Sequence, residues 1–280
     1  MANTILLVGC GRMGSALLAG WLDRGLLASA INIVEPQAGG PAMAEFLGRG
    51  ISVVGSADAL NPDIMPDVIV FAVKPQAMDA IVPAYRRFIQ SAPVFLSVAA
   101  GHTISSIELL LDRTVAIVRC MPNTPAAIRL GVTVACANER ASGDQRALCT
   151  SLLEAVGEVA WIDDENLMDA VTAVSGSGPA YLFLLVEELA AAGVAAGLPD
   201  DLAERLARLP VTGAGALLAG GHLSPSELRC NVTSPGGTTE AALKILMGPD
   251  GLRNLMTAAV RSAADRSRTL ASCQPPQSPG

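Results

Sequence analysis

Thr4-Ile5-Leu6-Leu7-Val8-Gly9-Cys10-Gly11-Arg12-Met13-Gly14 is the stretch whose reading decides the fold. A short apolar, β-branched run enters a G-x-G-x-x-G turn, and the residues from Ser15 to Arg24 then read as a helix. Glycine at 9 permits the tight turn, at 11 lets backbone N–H groups approach a pyrophosphate, and at 14 allows the helix to pack close to the strand. Gly9, Cys10, Gly11, Arg12, Met13 and Gly14 are therefore expected to cradle a dinucleotide.

The second strand candidate ends at Glu35, which lies 35 − 14 = 21 residues beyond the last glycine. An acidic side chain there can accept hydrogen bonds from ribose hydroxyls, which favours NADH. The opposing reading puts Glu35 in solvent and gives a 2′-phosphate to Arg12, so NADPH stays open. Two more loops leave the carboxyl ends of strand candidates, where ligands of doubly wound sheets bind. They are Ala72-Val73-Lys74-Pro75-Gln76 and Ser97-Val98-Ala99-Ala100-Gly101. Ala72, Val73, Lys74, Pro75, Ala99, Ala100 and Gly101 are accordingly expected to line the cofactor, unless Lys74 simply pairs with a nearby carboxylate.

Outward from the first turn, strand candidates fall at residues 4–8, 31–35, 67–73, 94–99, 114–120, 131–137 and 158–162, separated by helical stretches. That alternation predicts a mainly parallel sheet. Beyond Glu165 the strand signals stop, and Ala/Leu-rich helices are broken only at SGSGP, GLPDD, GGHLSP and TSPGG. The pattern predicts a nucleotide-type, doubly wound α/β domain over 1–163, followed by an all-α domain over 164–271. The Pro/Ser/Gln-rich tail, 272–280, has too little apolar surface to bury and is expected to be disordered.

The chain has 280 residues, 51% of them hydrophobic and only 16% charged, with a net charge of −7. No basic run offers a track for a phosphate backbone, which argues against nucleic acid. So little charge covers a monomer poorly, and the helices over 180–196 and 211–218 are apolar nearly all round, so a homo-oligomer is expected. The most membrane-like stretch, 180–198, carries Glu187 and Glu188 at its middle, where charge is costly in lipid; no membrane partner is expected. Six scattered cysteines without a C-x-x-C pair, and two histidines, predict neither a metal site nor a disulfide framework. Strand-like residues follow the N-terminus directly, so a cytoplasmic protein is expected.

Five segments, AVKPQ, SVAAG, RCMPNTPA, AVTAVSGSGPAYLFLLVEELAAAGVAAGLP and VTSPGGTTEAAL, stand in an order and spacing that resemble pyrroline-5-carboxylate reductases over about residues 5–270. The resemblance implies an α/β Rossmann-type doubly wound domain followed by an all-α dimerisation domain that interlocks two subunits, rings of such dimers (a decamer of five), and the last step of proline synthesis. It also implies that Ser234, Gly237, Thr238 and Thr239 line the pocket of a small cyclic imino acid, with the Thr239 hydroxyl reaching the ring nitrogen as the catalytic contact. The family usually carries a Gln-Thr pair where Leu209-Pro210-Val211 stands here, and Pro210 is expected to shorten that helix.

Reducing a cyclic C=N bond requires the nicotinamide close to the imine carbon and an environment tolerating positive charge on nitrogen. A strong protein acid is not required. The substrate carboxylate needs an anion site, which Thr233 to Thr239 can supply with N–H groups at the start of a helix read over 240–247; an ordinary capping turn is the alternative. Ser177, in SGSGP, and Asn123, after a strand end, are expected to line the same cavity. A reductase of another ketimine or hydroxy acid, or an NAD(P)-sensing protein without turnover, are the rival readings.

Overall fold

The computed structural model describes residues 3–37 and 41–272. The chain forms two compact units: residues up to Gly176 joined by those from Ala264 onward, and Ser177–Ala263.

The first unit is built on one eight-stranded sheet. In chain order its elements are β1 (Ile5–Val8), α1 (Arg12–Asp23), β2 (Ile31–Val34), α2 (Pro41–Leu47), β3 (Ser52–Val54), β4 (Val68–Phe71), α3 (Met78–Ile81), β5 (Val94–Ser97), α4 (Ile104–Leu110), β6 (Ala116–Met121), β7 (Gly131–Ala137), α5 (Gly143–Leu153), β8 (Gly157–Trp161) and α6 (Met168–Val171). The order across the sheet is β3-β2-β1-β4-β5-β6-β7-β8. Every neighbouring pair is parallel except β6 with β7. The strand order reverses between β1 and β4, so the crevice at their carboxyl ends is where a ligand of such a sheet binds.

Both faces of the sheet are covered, which is why its central strands are apolar without alternation. Ile5 and Leu7 point into one core with Trp21, Leu18 and Leu153, whereas Leu6 and Val8 point into the other with Phe71, Tyr85 and Ile107. Trp21 buries its ring and donates its Nε1–H to the Leu152 carbonyl at 2.8 Å, tying α1 to the end of α5. At the sheet edge, Gly157 pairs with Gly131 at φ +149°; a Cβ there would lie 1.9 Å from the Gly131 carbonyl oxygen.

One strand, β3, was not expected from the sequence. It has three residues, lies at the sheet edge and is exposed or half-buried, so it lacks the buried apolar run that marks the others. The remaining strands appear where expected, their ends shifted by two residues at most.

The second unit is helical: α7 (Gly178–Ala195), α8 (Asp200–Gly220), α9 (Pro225–Asn231) and α10 (Thr238–Leu246), with α11 (Leu252–Ser272) ending in the first unit. The expectation that Pro210 shortens its helix is corrected here, because α8 runs unbroken through it. The proline removes one i to i−4 bond, and the Ala/Leu-rich turns on either side keep the helix going. Along α7 no residue is buried, and Leu182, Phe183, Leu184 and Leu185 are each about half exposed or more. The stretch Glu165–Ala195 is long and apolar enough, by composition, to cross a membrane.

Candidate active site

At the carboxyl ends of β1, β2 and β4 lies a cavity of about 690 Å³. Six residues expected at the cofactor line it: Gly9, Gly11, Glu35, Ala72, Val73 and Lys74. The glycine loop has the form that a dinucleotide needs. Gly9 adopts φ +88°, and a Cβ on it would lie 2.8 Å from both the Ala72 carbonyl oxygen and a Val73 methyl. Gly14, already inside α1, would place a Cβ 2.4 Å from the Gly9 carbonyl oxygen. Around Gly11 nothing lies within 4 Å of that position; this is open space against bare backbone, at the N-cap of α1, where a pyrophosphate can approach.

Glu35 lies across this loop from β2. One carboxylate oxygen accepts the Cys10 N–H at 2.7 Å and the other accepts the Gln37 N–H at 2.9 Å. The negative charge is thus fixed at the cavity wall, and each oxygen keeps further acceptor capacity for a hydroxyl. Arg12, the first residue of α1, is exposed. Lys74 is exposed too, and makes no ion pair among the described residues.

Several expected cofactor residues support the wall instead of forming it. Cys10 contributes its N–H, while its side chain is buried in the core beside Ser15, and burial pushes the thiol pKa up. It therefore stays neutral next to an anion site. Met13 packs on the core from α1. Ala99 is buried in the second core, Gly101 at φ +78° lies under Leu270, and the Pro75 carbonyl turns to His102; Ala100 is half-buried beside them. Sequence reasoning missed Gln37, Ser56, Asp58, Ala77 and Tyr85, all of which line the cavity. Ser56 and Asp58 follow β3, and recognising that strand would have aimed its carboxyl end here.

The expected substrate residues fall into two groups. In the first unit, Asn123 uses both ends of its amide on backbone: Nδ2 donates to the Ser175 carbonyl at 3.2 Å, and Oδ1 accepts the Val132 N–H at 3.0 Å. It ties the turn after β6 to β7 and to a π-helical turn, Thr172–Gly176. Such turns are rare and occur often at functional sites. Ser177, half-buried, opens the second unit as the N-cap of α7 without using its hydroxyl as a cap.

In the second unit, Ser234, Gly237, Thr238 and Thr239 share one turn. Gly236 has φ +70°, and its N–H is taken by the Glu240 carboxylate at 2.8 Å, while the Gly237 N–H goes to the Ser234 carbonyl. The helix begins two residues earlier than expected, so Thr238 and Thr239 lie in the first turn of α10. Its N-cap is Gly237, and no side chain caps it. Glycine has no side chain to form a cap hydrogen bond and is itself a common N-cap, so the capping alternative stands beside the anion-site reading; neither threonine hydroxyl closes the helix end, and the first N–H groups of α10 lack intrahelical partners.

A parallel sheet with a glycine-lined crevice at its switch point, joined to a helical unit, defines a two-domain nicotinamide-dependent oxidoreductase. A family model described as NADP oxidoreductase, coenzyme F420-dependent, matches residues 4–101, and one described as pyrroline-5-carboxylate reductase dimerisation matches 165–270. The pyrroline-5-carboxylate reductase of Pseudomonas aeruginosa is 40% identical over 95% of this chain and 96% of its own length. A solved structure of that enzyme from Coxiella burnetii superposes with a TM-score of 0.87 at 34% identity, covering 97% of this chain and 99% of that one. The Plasmodium falciparum structure, solved with NADP bound, gives 0.80 at 27% identity over 97% and 99%. The chain belongs to the pyrroline-5-carboxylate reductase family.

Proposed function

We propose that this chain reduces the C=N bond of 1-pyrroline-5-carboxylate to give L-proline, the last step of proline biosynthesis, through the two sites described above. The observation that carries the substrate assignment is the start of α10, a helix N-terminus left without a side-chain cap on a glycine-hinged turn. Its N–H groups and the positive end of the helix dipole suit a carboxylate. Ser234, Gly237 and Thr238 enclose that anion, and Thr239 places a hydroxyl for the ring nitrogen. Asn123 and Ser177 are the further proposed substrate contacts, Asn123 also fixing the backbone of the turns around it.

When bound, NADH or NADPH supplies the hydride. Gly9, Gly11, Arg12 and Gly14 would hold its pyrophosphate, with Glu35 at the adenosine ribose and Lys74 near the phosphates. The protein's task is to orient the two partners and to stabilise charge on the imine nitrogen, and no protein acid of altered pKa is needed. Glu35 sets NADH at least level with NADPH, because a fixed carboxylate repels a 2′-phosphate.

The exposed leucines of α7 are the surface through which two copies interlock, with dimers assembling further into a decamer. We read the apolar stretch Glu165–Ala195 as this interface and not as a membrane span, since Glu187 and Glu188 lie within it. The enzyme then acts as a cytoplasmic homo-oligomer. Adding pyrroline-5-carboxylate and reduced cofactor to the purified protein tests the reading: proline must appear in step with cofactor oxidation. Cofactor binding without turnover would instead mark a sensor.

A further inference from the structure

We infer that His102 is a positioning residue for the cofactor site, holding the loop after β4 in the conformation that presents Lys74 and Ala77 to the cavity. This rests on the reading of that cavity as the dinucleotide site. His102 is 4% exposed, and its Nε2 lies 2.9 Å from the Pro75 carbonyl oxygen. A carbonyl can only accept, so Nε2 must carry the proton. The other ring nitrogen, Nδ1, lies 4.0 Å from the carboxylate of Asp79, on α3. At 4.0 Å this is not a hydrogen bond, so the grip of the imidazole on the segment is the Pro75 carbonyl, which lies between Lys74 and Ala77; these two with Ala80 and Ile81 form one wall of the cavity.

The ring is itself held from behind. Gly101 adopts φ +78° directly before it and packs under Leu270 at the end of α11. Thr103, directly after it, caps α4 by accepting the Ser106 N–H. The residue between these anchors has little freedom, so it can fix the opposite loop instead of following it.

The test is cofactor binding by the full-length oligomer, with NADPH and NADH as probes, for His102→Gln, His102→Asn and His102→Ala. The Gln amide nitrogen reaches the place of Nε2, whereas that of Asn reaches only the place of Nδ1. Loss of one buried hydrogen bond that sets a loop is expected to raise the Kd of either cofactor roughly 3- to 10-fold in the Ala and Asn variants. The Gln variant should remain within about twofold of the parent, and the KM for cofactor should move more than the saturated kcat. If Ala does not fold, the contrast between Asn and Gln still decides. Equal weakening in all three, or no weakening in any, overturns the inference. Gly11→Val separates it from the site assignment: its side chain meets open space and should fold, yet it blocks the approach to the loop. If that variant still binds cofactor normally, the site assignment itself falls.

Discussion

The Glu35 carboxylate accepts the backbone N–H of Cys10 at 2.7 Å, so the acid at the end of β2 is tied to the glycine loop at the end of β1. Two adjacent, consecutive strands are thereby coupled at the point where a dinucleotide would cross from one to the other. Removing the charge should shift cofactor choice. Glu35→Gln is expected to raise kcat/KM for NADPH relative to NADH by about tenfold, equivalent to roughly 1.4 kcal/mol. Steady-state comparison of both cofactors checks this, and an unchanged ratio would remove Glu35 from the ribose site.

Thr239 lies in the first turn of α10, with no hydrogen bond from its hydroxyl to any described residue. Thr239→Ala should lower kcat/KM for the imine by a factor equivalent to roughly 1 to 3 kcal/mol, with cofactor affinity unchanged. Thr239→Ser should recover most of the loss. Equal impairment of both variants would mean that the methyl group, not the oxygen, matters.

The α7 leucines predict the assembly. Leu184→Glu places a charge on a surface that is 54% exposed in the single chain, and it should cost the isolated subunit little. In sedimentation it should shift the protein to monomer, with activity falling in parallel. An oligomer of unchanged size would move the interface to another face.

Arg119, 5% exposed on β6, pairs with Glu165 at 2.7 Å, and the same carboxylate oxygen accepts the Ile104 N–H. Glu165→Ala leaves a buried guanidinium and the start of α4 without their acceptor. Because Glu165 is 26% exposed, the loss should sit at the low end of the usual range, about 3 kcal/mol in urea unfolding. Replacing both residues with apolar ones should cost much less.

Gly157 tests the sheet edge. Gly157→Ala puts a Cβ 1.9 Å from a backbone carbonyl at a positive φ, so β7 and β8 must separate. A loss of several kcal/mol is expected, more than the roughly 1 kcal/mol for a glycine whose only constraint is φ. Thermal unfolding of this variant beside Gly25→Ala, which has φ +85° and no close neighbour, isolates the steric part.

Much of this was legible in the chain itself. A buried central strand of a parallel sheet must be apolar on both faces, so β1, β2, β4, β5 and β6 announce themselves as continuous runs. The glycine loop is legible because its spacing follows from backbone geometry alone. Local sequence equally marks the turn from Thr233 to Thr239, since only small and glycine residues permit it. Tertiary structure decided what local pattern does not encode. The edge strand β3 forms because β2 offers it open hydrogen-bond partners, and with it Ser56 and Asp58 come to the cavity. The partners of Asn123 and the hold of His102 on Pro75 depend on residues distant in the chain. The sequence determined which segments are strands, helices and ligand-sized turns, because those obey short-range periodicity and backbone sterics. Which side chains meet across them, and hence which wall the site and which brace it, was settled only when long-range packing brought the loops of the sheet together.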